Sequence, residues 1–172
     1  MNNLVEDALI TETDSRIYSD SLSSKNQIDY LKSLTPDSLK DKIPTSYYHY
    51  FGFRDWYRYP LIYPYSLTSV DVVNYASLSD ERNVVDISDS NDGEIGLGLN
   101  GITALSFDQR LLLVKTEDFY HLDALPSYFL FHFDSQKIEQ FDDLEGLIDR
   151  ANQLKFNGSD TLMTMEDYSL LF

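Results

Sequence analysis

Apolar positions become regular only after residue 100. Ile102–Phe107 and Leu111–Thr116 are two apolar runs separated by Asp108-Gln109-Arg110, the pattern of a β-hairpin. A second hairpin is expected from Tyr128–Phe133, a turn at Asp134–Lys137 and a returning strand Ile138–Phe141. Leu144, Leu147, Ile148, Ala151 and Leu154 then recur at helical spacing, which predicts an amphipathic helix ended by Asn157-Gly158. Asp142 with Glu145 resembles the capping box at its start. A short last helix is expected within Thr164–Phe172.

The first hundred residues read differently. Residues 11–27 are polar, with little apolar periodicity, so residues 1–27 are expected to form a partly mobile arm before one domain over 28–172. Ile28, Leu31 and Leu34 share a helix face, with Ser24 a suitable cap; Thr35-Pro36 predicts the cap and first residue of another short helix that stops before Pro44. Tyr47–Tyr65 holds seven of the 13 tyrosines and the only tryptophan, and its prolines and glycine favour extended segments and turns. Ser66–Val73 continues as a strand or turns helical from Ser69, and Asp80–Asn100 reads as an acidic loop with a glycine-rich end. The expected fold class is α+β: N-terminal helices, a mainly antiparallel sheet, and a C-terminal helix packed on it.

Composition narrows the function. The 172 residues carry 29 acids against 13 Lys and Arg, a net charge of −16. Residues 87–172 hold −11 of it. Such a field repels phosphate backbones and anionic lipid and draws in basic proteins, so the expected partner is a basic protein, with no direct nucleic acid and no membrane. There is no cysteine, which removes disulfides, thiol nucleophiles and thiolate metal sites and fits a reducing cytoplasm. The first ten residues lack the basic and apolar regions of a secretory signal.

No motif carries catalysis or a cofactor. Gly96–Gly101 spells G-x-G-x-x-G, but an acidic loop precedes it and a strand-like segment follows, where a dinucleotide site needs a strand before and a helix after. Asp86, Asp89, Asp92 and Glu94 are crowded yet miss the ligand spacing of a calcium loop. His49, His121 and His132 share no metal-binding spacing, and His132 is expected on the polar face of its strand. No cofactor and no metal are expected.

Tight binding by such a chain needs anchors as well as charge. Trp56, Tyr57 and Tyr59 are the candidate anchors, because Arg54, Asp55 and Arg58 beside them argue against full burial and because Tyr, Trp and Arg are enriched at interface hot spots. Core packing is the competing reading of the same block. Asp142, Glu145 and Asp149 fall on one face of the C-terminal helix, opposite its apolar stripe, and with Asp89, Asp92 and Glu94 they are the candidate acids of the interface.

Small size, strong acidity, absence of cysteine and absence of a catalytic motif resemble the immunity proteins that neutralise bacterial toxins. Arg58–Asp71 (RYPLIYPYSLTSVD) and Tyr128–Leu147 resemble small bacterial accessory proteins of that kind. The resemblance implies a non-enzymatic cytoplasmic inhibitor that binds a basic toxin domain, such as a nuclease, and blocks its active site. It transfers no residue roles. Two other readings stand beside it: a DNA mimic that inhibits a host nuclease or defence protein, and an enzyme of unrecognised type that would need histidines and carboxylates gathered in one pocket.

Overall fold

The computed structural model describes residues 22–44, 47–48, 51–53, 56–83, 97–121 and 123–172. Of the arm expected over residues 1–27, residues 1–21 lie outside that set. The rest is helical: α1 spans Leu22–Leu34, so Ser24 sits inside the helix rather than capping it. The short helix α2, Asp37–Lys40, has Pro36 at its cap position, one residue later than expected. The Thr35 hydroxyl is drawn away from capping by the Leu31 carbonyl at 3.0 Å and the Tyr48 hydroxyl at 2.9 Å.

The chain then builds two antiparallel sheets where one was expected. Sheet A has the order β1 (Phe51–Phe53), β2 (Trp56–Pro60), β3 (Tyr65–Val70), β4 (Ser77–Asp80). The expected extended segments of the tyrosine block are therefore β1 and β2. Asp80, expected to open the acidic loop, instead ends β4. Sheet B has the order β8-β7-β6-β5-β9, with β5 Ile102–Phe107, β6 Leu111–Thr116, β7 Ser127–His132, β8 Ile138–Phe141 and β9 Met163–Thr164. Both expected hairpins are present, β5–β6 and β7–β8.

Residues 97–102 join the sheets. The Leu78 N–H donates to the Leu99 carbonyl at 2.9 Å, the Leu78 carbonyl accepts the Leu97 N–H at 3.2 Å, and Ala76 and Ile102 exchange bonds of 2.8 and 3.0 Å, so this segment covers the outer edge of β4. Gly98 and Gly101 adopt φ of 80° and 70°, which a side chain would strain, and Gly101 leads directly into β5. The glycines of the G-x-G-x-x-G match that are described here serve a strand entry, not a phosphate cradle.

Sheet B is covered on both faces, and β6 shows it best. Leu112 and Val114 point into the main core with Tyr59, Leu67 and Leu78 of sheet A, Leu31 of α1 and Tyr168 of the last helix. Leu111 and Leu113 point the other way, onto Leu147 and Ala151 of α3 (Leu144–Gln153). Two buried faces explain the unbroken apolar run of this strand. The cap of α3 is Asp143, not Asp142: its carboxylate accepts the Gly146 N–H at 2.8 Å. The helix ends at Gln153, before the expected Asn157-Gly158 stop. Leu144 of the expected stripe is exposed. The last helix, α4 (Met165–Ser169), is capped by Thr164. The fold is α+β with a C-terminal helix on the sheet.

Candidate functional site

The three aromatic candidates separate on burial. Tyr59, 1% exposed, is a core residue packed against Tyr168 and Phe172, which removes it from any accessible surface. Strand alternation gives the reason: Tyr57 and Tyr59 point to the face of sheet A that meets sheet B, and Tyr57 is half buried there. Trp56 points to the other face and is 40% exposed. Among the candidate acids, Asp89, Asp92 and Glu94 lie outside the described residues. Asp142, Glu145 and Asp149 are exposed around the start of α3. Sheet B stands between them and Trp56, so the two groups do not form one site.

Other exposed apolar side chains gather at the end of sheet A where Trp56 lies. Trp56 is paired across the strands with Val70, which is also exposed. The chain leaves β3 after Val70 and turns through residues 71–75 into β4, which puts Tyr75 on the connection that follows Val70. Tyr75 meets Phe119 edge to face at 5.2 Å, and Phe119 meets Tyr120 the same way at 5.4 Å. Phe119 is 53% exposed, Tyr120 87% and Leu125, in the same β6–β7 connection, 90%. Exposed large apolar groups of this kind make a candidate interaction surface.

The row is held in place by its backbone. One Asp118 carboxylate oxygen accepts the N–H groups of Tyr120 (2.8 Å) and His121 (3.2 Å), and the other meets His121 Nδ1 at 2.8 Å. The His121 ring and the Tyr120 N–H hold the Asp118 carboxyl below the usual carboxylate range. At the root of the connection, Glu117 N–H donates to the Gly101 carbonyl at 2.9 Å, and a side chain at Gly101 would strike the Glu117 carbonyl. No protein-family model, curated protein or solved structure matches the chain. The surface is thus read from its own residues. Phe119, Tyr120 and Leu125 were not singled out from sequence, although adjacent aromatics in a polar link between two strands are the available signal.

The polar clusters have structural duties. Asp80, 1% exposed, accepts from Arg82 through Nε (3.0 Å), Nη2 (2.5 Å) and the backbone N–H (3.0 Å), and from Gln136 Nε2 at 2.7 Å. Gln136 also reaches the Tyr65 hydroxyl, which donates to the Phe133 carbonyl at 2.8 Å. This network ties sheet A to the β7–β8 turn. A cleft of about 450 Å³ beside it includes Arg82 and Arg110, but Arg110 already donates to the Leu154 and Lys155 carbonyls at 2.7 and 3.1 Å. No group of three or more His, Asp and Glu among the described residues could hold a metal ion.

Glu139 on β8 is the other hub, meeting Arg150 of α3 at 3.0 Å, His132 at 2.9 Å and Lys137 at 3.2 Å. Arg150 first, then His132, hold its carboxyl down to about 2 from an ordinary 4.5. A lowered carboxyl stabilises the fold fully above the ordinary value, and that contribution fades as pH falls through the folded one. The wild-type melting temperature should therefore drop between pH 4.5 and about 2 more steeply than that of Glu139→Gln. Parallel melting curves for the two proteins would show that Glu139 does not couple β8 to α3.

Proposed function

We propose that this chain is a non-enzymatic inhibitor of the immunity-protein kind, which binds a basic toxin domain and neutralises it in the cytoplasm. The observation that carries the reading is the set of exposed apolar groups Trp56, Val70, Phe119, Tyr120 and Leu125, with half-buried Tyr75 beside Phe119, on a chain of net charge −16. Charge speeds encounter with a basic partner, while buried aromatic anchors supply the slow dissociation that inhibition needs. The exposed acids Asp142, Glu145 and Asp149 belong to the first task and the aromatic row to the second.

Co-expression tests the proposal. The chain should restore growth to cells expressing the toxic product encoded beside it in its native genome, and an unprotected culture would overturn the reading. Association of the purified pair should slow by at least about tenfold between low and high salt, as expected for a steered encounter. A salt-independent rate, measured by stopped flow, would remove steering from the account.

A further inference from the structure

We propose that the aromatic row, through its two connections 71–76 and 117–126, recognises arginine side chains of the partner. The proposal rests on the reading of the partner as a basic protein and names the group it presents. Guanidinium is planar and weakly hydrated; it stacks on aromatic faces and pairs with carboxylates at the same time, which ammonium does less well.

The surface offers both halves of that recognition. The two connections contain Tyr75, Phe119 and Tyr120 together with Asp71, Glu117, Asp118 and Asp123, and no Lys or Arg. Glu117 is engaged by Lys115 at 2.5 Å and Asp118 by His121, whereas Asp71 and Asp123 are exposed and make no ion pair among the described residues. The edge-to-face contacts and the Asp118 turn fix the rings before a partner arrives, so little ordering is left to pay on binding.

The fold shows the complete arrangement twice. Arg58 lies over the Tyr47 ring, 5.0 Å from its centroid, and pairs with Glu81 at 2.5 Å. Arg82 lies 5.9 Å from the Tyr65 centroid and pairs with Asp80 at 2.5 Å. Ring and carboxylate recur on the surface row, and the arginine is what a partner would bring.

The test uses capped hexa-arginine and hexa-lysine peptides as probes, with the full chain at one ionic strength. Hexa-arginine should shift the amide resonances of residues 71–76 and 117–125 and bind about two- to fivefold tighter than hexa-lysine, the margin expected of stacking. The double variant Phe119→Ser, Tyr120→Ser keeps every charge, so it should lose the arginine preference while retaining weak charge-driven binding. Both residues are exposed, and an Asp71→Asn, Asp123→Asn variant, which leaves the rings intact, provides a second route to the same loss. Equal affinity for the two peptides, shifts confined to α3, or an unchanged preference in both variants would each overturn the proposal. Failure here with protection intact in co-expression sinks arginine recognition alone. Arginine binding without protection upholds this surface and sinks the inhibitor reading.

Discussion

Tyr59→Ala should destabilise the fold by about 3–5 kcal/mol, the range for emptying a large aromatic site in a core. Its ring is buried against Tyr168 and Phe172, where the two sheets and α4 converge, and alanine would leave a void that these elements cannot close together. Trp56→Ala, three residues earlier on the same strand, should cost only about 1 kcal/mol, as for a site already open to solvent. Chemical denaturation of the two variants separates the readings of the tyrosine block cleanly. Equal losses would mean that Trp56 is packed as part of the core, and the aromatic row would then lose its first member. With a partner in hand the order should reverse, Trp56→Ala weakening binding more than Tyr59→Ala does in whatever fraction stays folded.

Asp80→Ala should cost about 2–3 kcal/mol, the scale of a buried charge-assisted network with one partner removed. The lower end of the range for buried pairs applies because the Arg82 side chain is half exposed and can rehydrate. Gln136 and the Tyr65 hydroxyl would be left to share what remains of the joint. Burial pushes the Asp80 carboxyl up, but the hydrogen bonds from Arg82 and Gln136 outweigh it and hold the carboxyl below its ordinary value. Its stabilising contribution is thus complete at neutral pH and is lost on acidification below the ordinary carboxylate range. Urea unfolding at pH 7 should show the full gap between Asp80→Ala and wild type, and the gap should narrow as the pH falls toward the folded value. A gap that does not change with pH would locate the effect in packing and not in charge.

The second half of the chain was legible because its elements are local. β5, β6 and β8 obey simple apolar runs and turn residues, and α3 shows helical spacing. In sheet A only extended segments were legible, and their pairing and burial were not, for a physical reason. Its strands are built from Tyr, Ser, Thr and Pro, and their burial depends on sheet B, which lies far along the chain. Tyr59 and Trp56 have indistinguishable neighbours in sequence; only strand parity against a distant sheet decides which one is buried. The same holds for Asp80, whose acidic surroundings suggested a solvated loop while Arg82 and Gln136 make it an interior residue. The surface row was hidden because Tyr75 and Phe119 come from separate stretches that meet only once both sheets have formed. Glu145 and Asp149 of α3 are exposed, as helical spacing predicts, whereas Asp142 is exposed but precedes the helix that Asp143 caps.

The joints between the sheets also set an order of events for a chain emerging from the ribosome. Tyr65 and Asp80 await Phe133 and Gln136, and Pro60 awaits the Tyr168 hydroxyl, which donates to its carbonyl at 2.7 Å. Sheet A is therefore synthesised long before the partners that cover its apolar face. At the usual pace of about 5–20 residues per second, the nascent chain carries that face uncovered for several seconds. Contacts so distant in sequence also make for slow folding once synthesis ends. The high density of negative charge then acquires a second use, because mutual repulsion keeps half-finished chains apart while their tyrosine-rich strands are still open.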